Sequence, residues 1–138
     1  MITSPVSGNN VIDMTGTYRN CYNLIGSPVC GPNVINMVST YSNCYNLTGS
    51  PVCGPKVIDM RSAYYNCVNL TGNIIISSTV TNLFFAFYNC SKISTIVIPH
   101  STALAMAALN NLCYRYVFTT RLNVIIANKT TYESLRAN

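Results

Sequence analysis

The chain has 138 residues, of which 49% are hydrophobic, so it is long and apolar enough for one domain with a core. Only 8% of its residues are charged, against about 25% in typical globular proteins. The net charge is +5, but the basic residues are scattered, which disfavours nucleic-acid binding because that binding uses a concentrated basic surface. So few charges are typical of a protein that packs against neighbours, since net charge keeps monomers apart.

The first ten residues, "MITSPVSGNN", have neither the basic start nor the apolar run of a secretion signal. No uninterrupted apolar stretch of about 18 residues occurs anywhere, so we expect no membrane-spanning segment. The most apolar region, 93–109, is interrupted by Pro99 and His100. We therefore expect synthesis in a cytoplasm and no export by the general route.

A repeat of 23 residues dominates the chain. The stretch "NCYNLIGSPVCGP" at 20–32 recurs as "NCYNLTGSPVCGP" at 43–55. A fixed period without insertions indicates a structural unit stacked on itself, and its apolar columns predict the core. The first column is a cysteine ladder, Cys21, Cys44, Cys67, Cys90 and Cys113. The second column contains four methionines and a leucine, Met14, Met37, Met60, Leu83 and Met106.

Each repeat predicts two elements. Apolar residues at every third or fourth position, from Val34 to Cys44 in one copy, predict a short helical or 3-10 segment. The following piece, "LTGSPV" at 47–52, predicts a short strand, after which Gly and Pro turn the chain back. We therefore predict an α/β solenoid, a leucine-rich-repeat coil stack with one short strand and one short helical or 3-10 segment per 23-residue repeat.

The later repeats carry stronger signals of regular structure. The β-branched stretches "NIIISS" at 73–78 and "STIVIP" at 94–99 predict better strands than the Gly- and Pro-rich early copies. The Ala- and Leu-rich stretch at 101–113 predicts a short helix, and "RLNVIIA" at 121–127 predicts a further strand.

The last period departs from the others. From about Tyr116 the chain keeps the length of the repeat but loses its pattern, which is typical of a terminal cap. We therefore divide a single domain into a solenoid of about five coils, 1–115, and an atypical C-terminal capping segment, 116–138.

The repeated columns follow the pattern V-x-x-M-x-x-x-[YF]-x-x-C-x-x-L, which reads "VINMVSTYSNCYNL" at 34–47 and "VTNLFFAFYNCSKI" at 80–93. This pattern resembles the BspA-like leucine-rich repeats of bacterial surface proteins and of some viral proteins, over about 1–115. The resemblance implies a leucine-rich-repeat fold with the cysteine column inside the coil. It also implies that Leu24 and Val29 point inward, which leaves a small, uncharged strip facing outward. This candidate interaction strip consists of Pro28, Pro51, Ile74 and Val97.

Seven cysteines raise the alternatives of metal ligands, disulfides and core thiols. Zinc sites pair their ligands at short spacings such as C-x₂₋₄-C, and no two cysteines here are that close. Coils about 4.8 Å apart fall within the Cα separation of a disulfide, but stacked side chains run parallel and do not converge. A reducing compartment and an odd number of cysteines also disfavour disulfides. We interpret the ladder as small buried hydrophobes and predict no metal site.

Catalytic chemistry finds little support in the sequence. A nucleophilic cysteine needs a base, and His100, the single histidine, stands beside a proline at a predicted turn. The three acids, Asp13, Asp59 and Glu133, are too dispersed for paired-carboxylate catalysis. No phosphate-binding glycine loop is present. We predict no catalytic residue, no cofactor and no enzymatic activity.

Repetitive surfaces of stacked units bind proteins or glycans. Our first hypothesis is a non-enzymatic structural protein of a virion, such as a phage capsid decoration, tail or fibre protein. Its expected partners are other protein subunits in a homo- or hetero-oligomer, with neither nucleic acid nor membrane, and its expected location is the virion. The alternative is an adhesin-like module, at the cell surface or secreted by a non-classical route, that recognises a host protein or glycan.

Overall fold

The computed structural model describes residues 5–99 and 123–127 of the chain. They contain one parallel sheet of three short strands in the order β1-β2-β3. In this sheet Ile74 pairs with Ile96, and Ile96 pairs with Val124. All three strands overlap stretches whose β-branched composition predicted strands. The strands are β1 (Gly72–Ile75), β2 (Ile93–Pro99) and β3 (Asn123–Ala127).

The predicted fold class is wrong. An α/β leucine-rich-repeat solenoid requires a helical or 3-10 segment in each repeat, but the described ranges contain no helix, and their strands are confined to one small sheet. The stretches predicted to be helical are runs of turns, for example at 15–20 and 38–43. The predicted helix at 101–113 and the predicted division between 115 and 116 lie outside the described residues.

Backbone hydrogen bonding explains why turns replace helices. Within each run, every second N–H donates to a carbonyl three residues earlier, as Cys44 does to Tyr41 at 3.1 Å. In the first three runs, the intervening N–H groups donate to the following repeat, as Tyr41 does to Ala63 at 2.8 Å. An α-helix would direct all of these donors inside the segment, so the bonds between repeats replace the helix.

Left-handed backbone positions interrupt each run of turns twice. They recur every 23 residues and are occupied by several residue types, which shows that position in the repeat imposes the conformation. Consecutive right-handed residues are what an α-helix requires, so each left-handed residue ends helical propagation. The first column consists of Gly16, Ser39, Ser62 and Phe85. The second consists of Asn20, Asn43, Asn66 and Asn89.

Residues 23 positions apart lie beside one another in parallel. Val29 bridges to Val52, and Asn36 bridges to Asp59. We number the repeats as segments 1 to 4, with each segment beginning at a member of one valine column. Their ranges are 11–33, 34–56, 57–79 and 80–99.

The core lies between the turns and the extended stretches of the segments. Its centre is a column of stacked rings, in which Tyr41 and Tyr64 have centroids 5.3 Å apart and planes 9° from parallel. Phe87 continues the column 5.4 Å beyond Tyr64, and all three side chains are fully buried. Offset stacking of this kind adds about 0.5–1.5 kcal/mol per pair to the burial of the rings. The aromatic column therefore holds adjacent segments in register.

Candidate interaction surfaces

The structure places most of the predicted core ladder inside the molecule. Within segments 1 to 4, the methionine and leucine column is buried, and the cysteine column is buried except for the half-buried Cys21. Met106 and Cys113 lie outside the described residues. The buried members are Met14, Met37, Met60, Leu83, Cys44, Cys67 and Cys90.

Each buried ladder thiol has a defined hydrogen-bond partner. The Sγ of Cys44 donates to the Tyr18 carbonyl at 3.0 Å, and the Sγ of Cys67 donates to the Tyr41 carbonyl at the same distance. Burial raises the pKa of Cys44 to about 11 and that of Cys67 well above its usual value. These groups are therefore protonated at neutral pH, whereas nucleophilic attack and metal binding both use the thiolate.

Metal and disulfide chemistry has no assembled site in the part of the chain that the structure describes. No group of three or more His, Cys, Asp or Glu side chains converges there, and no disulfide joins its cysteines. Asp13 and Asp59 lie two repeats apart, each at a parallel bridge to Asn36. The Asp13 carboxylate accepts bonds from the Thr15 N–H at 2.8 Å and the Thr15 hydroxyl at 2.7 Å, which lower its pKa. The Asp59 carboxylate pairs with Arg61 at 2.9 Å.

The candidate interaction strip is buried, so the prediction that it faces outward is wrong. Side chains of extended backbone alternate between faces. Counted from the buried Leu70, this alternation brings Ile74 and Ile76 to the core face. The outward position belongs instead to neighbours such as Val52, which is 52% exposed. The buried strip comprises Pro28, Pro51, Ile74 and Val97.

An exposed isoleucine ladder is the surface that sequence reasoning missed. Ile12, Ile35 and Ile58 are 58%, 41% and 44% exposed, and they lie side by side in segments 1 to 3. The Ile35 N–H donates to the Ile12 carbonyl, and the Ile58 N–H donates to the Ile35 carbonyl, each at 2.8 Å. The signal was available in the sequence, because each isoleucine directly follows a valine that lies in the core or packs against it, such as the buried Val34. Two adjacent β-branched residues in extended chain cannot both face the core.

Two further apolar pairs lie on the surface. Val6 and Val52 are 62% and 52% exposed and flank Val29 in a row of parallel bridges. Tyr22 and Tyr45 are about half exposed, and their rings stack with centroids 5.4 Å apart. The described residues therefore carry three exposed apolar rows, each of which runs from segment to segment.

Comparison with known proteins gives no relative. No protein-family model, curated protein or solved structure matches the chain. The resemblance to BspA-like repeats therefore stays a prediction. Within the described ranges, no helix is long and apolar enough to cross a membrane.

Proposed function

We propose that this chain is a non-enzymatic structural protein that acts by packing against other protein subunits in a larger assembly. The isoleucine ladder carries the proposal. It exposes three aligned β-branched side chains, Ile12, Ile35 and Ile58, on backbone that is fixed by hydrogen bonds between segments. Aligned apolar side chains on a rigid surface mark protein interaction sites, because covering them removes apolar area from water with little loss of conformational freedom.

The size of the ladder indicates how it works. Complete burial of an exposed isoleucine contributes about 1.5–3 kcal/mol, so covering three half-exposed ones contributes roughly 3 kcal/mol. A micromolar complex requires about 8 kcal/mol, so the ladder acts together with other surfaces such as the valine row at Val6 and Val52. A neighbour covering several rows at once fits an assembly in which each subunit has many contacts.

The chemistry of the polar groups agrees with a structural role. The buried ladder thiols donate to backbone carbonyls, and the Asp13 and Asp59 carboxylates accept hydrogen bonds from Thr15 and Arg61, two residues later. These hydrogen bonds therefore stabilise the backbone of the repeats. The setting we propose is a virion, on the strength of the viral members of the family that the repeat resembles. The alternative setting is a surface module that recognises a host protein or glycan.

The test measures molar mass by size-exclusion chromatography with light scattering. The variant I12S/I35S/I58S removes the apolar rungs, while I12V/I35V/I58V keeps them apolar and serves as the matched control. We expect the wild type and the valine variant to form oligomers or to require a partner for solubility, and the serine variant to shift toward monomer. A wild-type monomer that binds a glycan or a host protein on an array would overturn the proposal in favour of the surface module.

A further inference from the structure

The isoleucine ladder is a short row whose side chains are evenly spaced. Ile12, Ile35 and Ile58 follow one another at the distance between hydrogen-bonded neighbours in a sheet, about 4.8 Å. The next member of the column is the exposed Thr81, so the apolar row does not extend into segment 4. A second copy of the ladder matches this spacing rung for rung.

A column of acids and amides runs beside the ladder. Asp13, Asn36 and Asp59 directly follow the three isoleucines, and parallel bridges join Asp13 to Asn36 and Asn36 to Asp59. Arg61 pairs with Asp59 at 2.9 Å, and its side chain is 51% exposed. Thr15 stands at the position of Arg61 in segment 1, so Asp13 has no cation beside it among the described residues. One end of the ladder therefore carries a carboxylate without an ion pair, and the other end carries an exposed guanidinium.

Two-fold symmetry can bring these two ends together. Residues of a closed dimer contact each other reciprocally across the two-fold axis. An axis that crosses the ladder at Ile35 reverses the order of the rungs, so Ile12 of each copy lies opposite Ile58 of the other. The column of acids and amides stays on its own flank and is also reversed. This arrangement places Asp13 of each copy opposite Arg61 of the other, and the dimer contains two such pairs.

The other two-fold arrangement leaves the charges unmatched. An axis along the ladder places each rung opposite itself and each flank opposite the other flank. Asp13 would then face the exposed Asn10, which precedes the ladder, and its charge would be covered without a cation. Lys56 lies on the flank of Asn10 and would face Asp59, which Arg61 already neutralises. Charge complementarity therefore selects the arrangement with reversed rungs.

We propose that the isoleucine ladder docks on the ladder of a second copy of this chain, in a two-fold contact that sets Asp13 of each copy against Arg61 of the other. The inference rests on the proposed function and names the partner of the ladder. Three side chains cover far less than the roughly 800 Å² per partner of a standard interface, so the contact is weak and reversible. Within an assembly, neighbouring attachments raise the effective concentration of subunits to roughly the millimolar range, and a weak contact is then occupied.

Cross-linking between introduced cysteines tests the arrangement. A short bifunctional thiol reagent should cross-link I35C with itself faster than I12C with itself. The reason is that the two copies of position 35 meet at the proposed axis, whereas the two copies of position 12 are displaced by two rungs, about 10 Å, along the ladder. A mixture of I12C and I58C should react as fast as I35C. The wild type measures the background from the native cysteines.

A charge substitution tests the ion pairs independently. D13N removes the charge but keeps an amide oxygen for the N–H two residues later, as Asn36 does for Val38 at 3.0 Å. It should weaken association roughly four-fold, because an exposed ion pair changes an equilibrium by a factor of about two and the dimer contains two pairs. N23K is the matched control, since it makes the same change of net charge at an exposed position whose equivalent in segment 4 is Lys92. Sedimentation velocity up to millimolar concentration measures association, and circular dichroism checks that each variant is folded.

The outcomes separate this inference from the proposed function. Faster cross-linking of I35C, together with weaker association of D13N but not of N23K, supports the inference. A wild type that stays monomeric and gives no I35C cross-link overturns it. The proposed function still stands if that monomer requires another subunit for solubility and I12S/I35S/I58S removes the interaction, whereas binding to a glycan or a host protein overturns both. Equal self-cross-linking of I12C and I35C, with no effect of D13N, also overturns the inference, because the ladders would then pair without reversal.

Discussion

Replacing Tyr64 with phenylalanine should stabilise this protein. The Tyr64 hydroxyl is buried and has no hydrogen-bond partner among the described residues. Burial also raises the pKa of Tyr64 well above its ordinary value, so the group is neutral and gains nothing from ionisation. The substitution Y64F removes this hydroxyl and keeps the ring that stacks between Tyr41 and Phe87.

The magnitude follows from the cost of an unsatisfied polar group. A buried hydroxyl without a partner costs about 1–3 kcal/mol, and its removal leaves only a small void. Phe87 shows that the column accepts phenylalanine with the same ring spacing. We therefore expect Y64F to raise the free energy of unfolding by about 1 kcal/mol, whereas loss of a satisfied hydrogen bond would lower it by a similar amount.

Urea denaturation followed by circular dichroism measures the change. With a slope of about 2 kcal/mol per molar urea, a gain of about 1 kcal/mol moves the midpoint upward by about 0.5 M. Y22F is the control, because the exposed Tyr22 should respond by less than about 0.5 kcal/mol. A downward shift of the Y64F midpoint by about 0.5 M or more would refute the reasoning, since it would mean that the hydroxyl has a partner.

Two further predictions concern the asparagine and cysteine columns. N43A should lower the free energy of unfolding by about 2 kcal/mol in urea titrations, because it removes the side-chain bonds to Asn20 and Asn66 and places alanine at a φ of 62°. N43G should cost less, since glycine accepts that φ, and equal losses for the two variants would show that the backbone contributes nothing. In native buffer, a thiol reagent should label the half-buried Cys21 well before Cys67, whose burial raises its pKa and blocks access. Equal labelling rates for the two thiols would contradict the difference in burial.

The period predicted which residues become neighbours but not the backbone that connects them. Columns spaced by 23 placed Met37 beside Met60 and Cys44 beside Cys67, because any parallel stack of equal segments has this consequence. The same apolar spacing was compatible with a helix, and the helix prediction was wrong. The deciding feature was the left-handed φ at positions such as Ser39 and Asn43. Asparagine and glycine favour that conformation locally, but serine does so only weakly.

Phe85 shows most clearly why that feature is hidden from sequence reasoning. It occupies the position of Gly16, Ser39 and Ser62 and adopts a φ of 54°, although a bulky side chain disfavours the left-handed region. Position in the repeat imposes this conformation, because the equivalent residues Gly16, Ser39 and Ser62 direct their N–H groups to the next segment, which a helix could not do. The hydrogen bonds between segments therefore determine the local backbone.

The hydrogen bonds between segments also connect the fold with the proposed role. In the runs of turns of segments 1 to 3, alternate N–H groups donate to the following segment, and alternate carbonyls of segments 2 to 4 accept them. A helix would have satisfied these N–H and carbonyl groups within its own segment, which would leave fewer hydrogen bonds between segments. These bonds between segments hold the isoleucine ladder on a fixed backbone, as the proposed packing role requires.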